Sequence, residues 1–311
     1  MEKDLEAFLI IAKSDINRKL KEIIKNHDER IKIEYFLKGG KRLRPLLCLL
    51  SFKACGGSEA GYEDALDLAA AIELQHSASL VHDDIIDGDI ARRGSSSYYK
   101  AYGIEDAILT GHRVIVLGFK NILDHDPKII RMLFNIWEDS LRGEMKDVEA
   151  RKNDRSLIGL RGELYFEVIL KKTASLFAGA AMVGSQEAKA PKKLQDIFWE
   201  YGKYIGLAYQ LVDDSQDLDN GKETLPLAWI LGQMDDDMKE SFIKSMENRS
   251  LLPSEILSGL GVDSRSMFLR QVIKMQHAAE GVARSKMIPE NEFKPFLLDF
   301  PEYVIKKCVE K

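Results

Sequence analysis

Proline placement constrains this chain more than any other feature. Eight prolines occur in 311 residues, and none lies between Leu46 and Asp126, between Lys128 and Ala190, or between Lys192 and Leu225. A helix interior tolerates proline badly, because the ring removes a backbone donor and clashes with the preceding turn. Three long stretches are therefore free to run as helices, and their apolar residues recur at helical intervals. Leu5, Leu9, Ala12, Ile16, Leu20 and Ile23 form one stripe, and Leu66, Ala69, Ala70, Leu74 and Leu80 another. No sustained alternation of period two competes with them. The expected fold class is all-α.

The interruptions are turn-sized: Gly39-Gly40, Gly56-Gly57, RRGSSS at 92–97, HDP at 125–127, KAPKK at 189–193 and DNGKETLP at 219–226. None is long enough to act as a linker, and no internal repeat is present. The expectation is one domain, residues 1–311. The acidic run MDDDM at 234–238 reads as a solvated helix start.

Composition narrows the function. With 45% hydrophobic and 31% charged residues the chain can build a sizeable core, and a net charge of −5 provides no global positive field for a nucleic acid or an anionic membrane. Any anionic ligand must be held by local cations. Cys48, Cys55 and Cys308 have no paired spacing and read as reduced core residues. The opening MEKDLEAFLIIAKSDINRKL places acids where a signal peptide needs basic residues, and its apolar run is too short to span a bilayer. A cytoplasmic protein without membrane insertion is expected.

Two segments carry chemistry. ELQHSASLVHDDIID at 73–87 ends in Asp83, Asp84 and Asp87, and GLAYQLVDDSQD at 206–217 repeats the spacing with Asp213, Asp214 and Asp217. At roughly 100° per residue, each trio occupies about a third of its helix circumference. Like charges at i, i+4 repel, and acids near a helix C-terminus oppose its dipole, so such a trio calls for a cation. Hard carboxylate oxygens without cysteine or suitably spaced histidine select Mg2+. The spacing at 217–221 does not fit an EF-hand. Complementary cations follow: Lys41, Arg42 and Arg44 in GGKRLRP, Arg92 and Arg93, and Lys171, Lys172 and Thr173 in KKT. Arginine forks suit phosphate oxygens, and the distribution of these cations points to more than one polyphosphate. His76 precedes Asp83 by two helical turns and shares its face. His82 has no such relation and is left unassigned.

With these residues the chain resembles the trans-type prenyl diphosphate synthases, including their geranylgeranyl and longer-chain members. The likeness runs from GGKRLRP at 39–45 through RGEMKD at 142–147 and KKTASLFAGA at 171–180 to GKETLP at 221–226, and more weakly across 278–307. It implies an antiparallel helical bundle around a deep apolar cavity, usually as a homodimer, catalysing magnesium-dependent condensation of isopentenyl diphosphate with an allylic diphosphate. By that resemblance, Asp83, Asp84, Asp87 and Asp213, with Asp214 and Asp217 nearby, hold Mg2+ against the allylic diphosphate. Arg92, Lys172 and Lys222 grip the same group. Lys41, Arg44, His76 and Arg93 bind isopentenyl diphosphate, and Thr173 and Gln210 lie beside the reacting carbons. Released diphosphate serves as the base.

The chain departs from the family pattern in three places. Only residues 218–221 separate Asp217 from Lys222, which removes one expected cation, and His112 and Tyr209 stand where aspartate and phenylalanine are common. In the family, bulky residues four or five places before the first aspartate shorten the product. Here those floor positions are Ser79 and Ala78, about 6 and 7.5 Å down the helix, so a product of twenty carbons or more is expected. Two other readings stay open. A terpene cyclase shares the helical fold, although its usual Asn/Asp, Ser/Thr, Glu motif is not supplied after Val212. A non-catalytic subunit of a heteromeric synthase is suggested by the short loop after Asp217.

Overall fold

The computed structural model describes residues 2–153, 162–218, 224–247 and 251–310. Its first half contains α1 (Glu2–Ile24), α2 (Arg30–Leu37), α3 (Leu43–Ala54), α4 (Tyr62–Asp87), α5 (Tyr98–Tyr102), α6 (Ile104–Lys120) and α7 (Pro127–Asn153). Its second half contains α8 (Gly162–Ile169), a π-helical turn (Leu170–Ala174), α9 (Ser175–Glu187), α10 (Lys192–Asp217), α11 (Thr224–Leu231), α12 (Asp236–Glu247), α13 (Pro253–Gly259), α14 (Ser264–Ala283) and α15 (Phe296–Val309). A two-residue hairpin, β1 (Ala91–Arg92) with β2 (Ser95–Ser96), is the strand content of the described residues. The all-α expectation holds, and the long helices α4, α7 and α10 occupy the proline-poor stretches.

The stripes explain the packing. Leu5, Leu9, Ala12, Ile16 and Leu20 of α1 are buried, and each such side chain removed from water is worth about 1.5–3 kcal/mol. Helix α3 is buried along its whole length, and α4 and α9 are mostly buried, which their small and apolar residues permit. A second apolar cluster gathers Tyr165, Leu211, Trp229, Phe242 and Phe268 from α8 and α10–α14. Tyr204 of α10 packs against both clusters. Two glycines allow helices to approach closely. A Cβ on Gly206 would lie 2.6 Å from Ala174 Cα, and one on Gly143 would lie 2.4 Å from the Lys172 backbone nitrogen. Among the described residues, no helix is long and apolar enough to cross a membrane.

Candidate active site

Helix α4 gives the site its axis. Glu73, His76, Leu80, Asp83 and Asp87 recur at three- and four-residue steps and line one cavity of about 1190 Å³. Asp84, one step round from Asp83, is buried away from that wall, and its carboxylate accepts from Arg92 Nε. The arginine comes from the hairpin, whose central residues Arg93 and Gly94 have φ of 51° and 73°. Positive φ at both central positions is what a type I′ two-residue hairpin turn requires. That turn brings Arg92 and Arg93 to the mouth of the cavity, where Arg93 Nη1 also donates to the Lys38 carbonyl at 3.2 Å.

The glycine-flanked basic segment divides its labour. Arg42, at the left-handed start of α3 (φ 61°), is buried and bonded to Glu73 at 2.6 Å and to the Leu37 carbonyl, so it holds α3 on α4. Arg44, which like Arg42 lines the cavity, stacks 4.4 Å from the Phe177 ring centroid and meets His76 Nε2 at 2.9 Å. Burial, then the Arg44 charge, keeps His76 well below its ordinary pKa. Arg44 Nε and His76 Nδ1 are both buried without a hydrogen-bond partner. Orphaned groups of this kind are costly, and an anionic ligand would satisfy the guanidinium. Lys41 lines the same cavity and donates to the Lys307 carbonyl.

The opposite wall is built by α7 and the π turn. Gly143 lets the turn approach α7, and Ser140 Oγ donates to the Lys172 carbonyl at 3.0 Å. Lys172 then places its ammonium 2.7 Å from Glu144 and 2.8 Å from Asp147. Burial pulls its pKa down, but these two carboxylates outweigh it and the net shift is upward. A π turn inside a helical run is a frequent mark of a functional position. Thr173 Oγ1 donates to Gln210 Oε1 at 2.7 Å, and Gln210 Nε2 donates to Asp214 Oδ1 at 2.7 Å.

Asp213, Asp214 and Asp217 of α10 line this same cavity, so both acidic trios serve one space. Asp214 is buried, with both oxygens engaged, one by Gln210 and the other by Tyr165 hydroxyl at 2.5 Å. Burial pushes its pKa up to about 7. Asp83 also stands at about 7, raised by burial and then by the Glu144 charge. In each trio the middle aspartate therefore ties its helix to a neighbour, and the outer two line the cavity, as Asp214 also does.

These observations test the fit of a divalent cation. Carboxylates are concentrated here, since Asp83, Asp87, Glu144, Asp147, Asp213, Asp214 and Asp217 line one cavity and Asp83 is pushed toward its neutral form by burial and the Glu144 charge. The donors are hard oxygens, and such a set fits magnesium.

Several contributors went unread in the sequence. Arg151 bonds Asp87 at 2.6 Å and Asp147 at 3.3 Å, and Tyr165, Glu144 and Asp147 complete the network. RGEMKD was noted as a motif, but only the approach of α7 reveals what its acids touch. Of the two floor positions, Ser79 lines the cavity, whereas Ala78 is fully buried in the core beside it. Lys222 lies outside the described residues.

Comparison with known proteins agrees with this construction. The model of the family described as "Polyprenyl synthetase" matches residues 29–230. The chain is 38% identical over 177 residues to the geranylfarnesyl diphosphate synthase of Methanosarcina mazei, a match spanning 57% of either chain. It is 30% identical over 250 residues to the geranylgeranyl diphosphate synthase of Sulfolobus acidocaldarius, covering 73% of this chain and 74% of that one. The crystal structure of geranylgeranyl pyrophosphate synthetase from Pyrococcus horikoshii superposes with a TM-score of 0.85 at 26% identity, covering 98% of this chain and 99% of that chain. This chain belongs to the polyprenyl synthetase family.

Proposed function

We propose that the protein is a prenyltransferase that condenses isopentenyl diphosphate with an allylic diphosphate, head to tail, to give a trans-prenyl diphosphate of twenty carbons or more. One observation carries the reading. Aspartates of both trios, Asp83 and Asp87 on α4 and Asp213, Asp214 and Asp217 on α10, line a single cavity together with arginines and lysines, and Leu80, Leu141, Val168, Ile169 and Leu176 give it an apolar wall. A charged mouth above an apolar chamber suits a ligand with a diphosphate head and a hydrocarbon tail.

In this reading each residue has a role. Asp83, Asp87, Asp213 and Asp217 would hold magnesium, with Asp84 and Asp214 fixing the two helices through Arg92 and Tyr165. Bound there, the metal supplies Lewis-acid stabilisation of the diphosphate leaving group. Lys172, Arg92 and Lys222 bind the allylic diphosphate, and the fixed ammonium of Lys172 stabilises the charge that grows as the carbon–oxygen bond breaks. Lys41, Arg44, His76 and Arg93 bind isopentenyl diphosphate, whose double bond attacks the allylic cation. Thr173 and Gln210 lie beside the reacting carbons, hydrogen bonded to each other. The departing diphosphate takes the proton lost after condensation, so no side-chain base is needed.

The chain acts as one domain, which the packing of Tyr204 against both apolar clusters supports. A homodimer is part of the proposal. Ile108, Leu109 and Val116 of α6, with Phe134 and Met145 of α7, leave apolar surface for a second copy. Three free cysteines, two of them buried, suit a cytoplasmic protein.

The test uses purified protein, labelled isopentenyl diphosphate, a series of allylic primers and magnesium, followed by product sizing. Elongated diphosphates are expected. Released hydrocarbons would indicate a cyclase, and silence relieved only by a partner protein would indicate a regulatory subunit; either outcome overturns the reading.

A further inference from the structure

The apolar chamber ends in a partition. Trp137 of α7 and Leu176 of α9 border the main cavity above and a separate void below, and Arg44 and His76, joined at 2.9 Å, close the partition between them. The lower void measures about 20 Å³ and is bounded by Ile72 and Gln75 of α4, Ile136 of α7 and Gly179 of α9. It has room for little more than one water. The way on is therefore blocked at the partition, where α7 supplies the largest apolar side chain and α4 supplies His76. Ser79 is too small to obstruct the cavity, and Ala78 does not border it.

Within the partition the four side chains differ in kind. Arg44 and His76 are charged or polar and belong with the diphosphate-binding residues. Leu176 and Trp137 are apolar, and the indole is much the larger, an aromatic side chain burying about 150–250 Å². Trp137 also lies two helical turns before Glu144, on the face of α7 that carries the acids holding Lys172. A ligand anchored by its diphosphate near Lys172 would extend down that face toward the indole.

We propose that Trp137 is the floor that limits product length. The inference rests on the prenyl-extension reading above. Because the diphosphate head is fixed, each added five-carbon unit must occupy space deeper in the chamber, and growth stops when the next unit would overlap the indole. Packed space resists extra methylenes, which favours release over another addition. Beyond the floor Ile136 packs against Gly179, so the space a smaller residue 137 would open is that of the indole joined to the small void.

The experiment sizes the products of wild type, Trp137→Phe, Trp137→Leu and Trp137→Ala from labelled isopentenyl diphosphate and one allylic primer, with circular dichroism and Tm recorded for each. The longest product should grow as the side chain shrinks, by at least one five-carbon unit in Trp137→Ala, with Trp137→Phe between it and wild type. Should Trp137→Ala fail to fold, Trp137→Leu carries the same expectation. A folded variant of either kind with the wild-type longest product overturns the floor assignment while leaving prenyl extension intact. A wild-type protein that makes no elongated diphosphate at all overturns the underlying reading instead.

Discussion

Helix α4 carries acidic clusters at both ends, and they are held in opposite ways. At its start, Glu63 and Asp64 sit in the first turn, where the helix dipole favours negative charge by about 0.3–1 kcal/mol each, with Asp67 one turn on. The chain supplies their counter-ions: Lys19 lies 3.0 Å from Glu63 and 3.1 Å from Asp67, and Arg18 lies 2.9 Å from Glu63. The Lys19 bond, more than any other contact, lowers the Glu63 pKa. His125 completes a compact group in which one ligand-type atom each of Asp64, Asp67 and His125 lies within 4.8 Å of the others. About 28 Å away along the helix, Asp83 and Asp87 oppose the dipole in a cavity, and Asp83 is pushed up to about 7. The compact group looks more like a metal site by distance alone. Pairing separates them, since Lys19 and Arg18 offset Glu63 and Asp67 in the first cluster, whereas in the second Arg151 pairs Asp87 and Asp83 stays pushed toward its neutral form, the position an external cation would relieve.

The comparison breaks most readily through substitution at the two ends. Asp83→Asn and Asp213→Asn should each lower turnover on the order of 10²–10³-fold, as removal of a main electrostatic element of a transition-state site does. Asp64→Asn should stay within about twofold, the range of an ordinary surface change. Steady-state rates with the protein shown folded by circular dichroism decide the matter, and equal losses at both ends would erase the distinction.

A smaller effect is expected from Arg151→Gln, which takes the guanidinium from Asp87. A charge-assisted bond of this kind contributes about 1.5–3 kcal/mol, so the Tm of the metal-free protein should fall by about 2–5 °C. Added magnesium should recover part of that loss in a thermal melt. An unchanged Tm would mean that Arg151 does not balance the acidic mouth.

The smallest effect belongs to the other end and depends on pH. His125 has its pKa raised above the ordinary 6.5, first by the Glu187 carboxylate 4.0 Å away. A group whose pKa is higher folded than unfolded stabilises fully below the unfolded value and loses that contribution as pH rises through the folded one. Wild type should therefore lose about 1–2 °C of Tm beyond His125→Gln between pH 6 and pH 8.5. Parallel melting curves across that interval would remove His125 from the charge balance.

How far the sequence could be read follows the same physics. The stripe on α1, the all-helical class and both aspartate trios were legible, because helical periodicity and charge spacing are local properties. The different fates of neighbouring aspartates were not. A rotation of about 100° separates Asp83 from Asp84 on any helix, but which of them meets solvent depends on where α3, α7 and the hairpin pack. The same limit hid the choice between Ser79 and Ala78, since only the assembled cavity distinguishes wall from core. Arg151, Tyr165 and Trp137 act through partners distant in the chain, and no local pattern marks them. Gly143 left a trace in RGEMKD, yet its reason, the 2.4 Å approach to Lys172, exists only in three dimensions.

The most direct measurement is a crystal structure with magnesium and an unreactive allylic diphosphate analogue. The account predicts metal ions about 2.0–2.1 Å from carboxylate oxygens of Asp83 or Asp87 and of Asp213 or Asp217, bridged by diphosphate oxygens within reach of Lys172. Analogue bound in the cavity with both pairs free of metal, or metal held only by Asp64, Asp67 and His125, would contradict it.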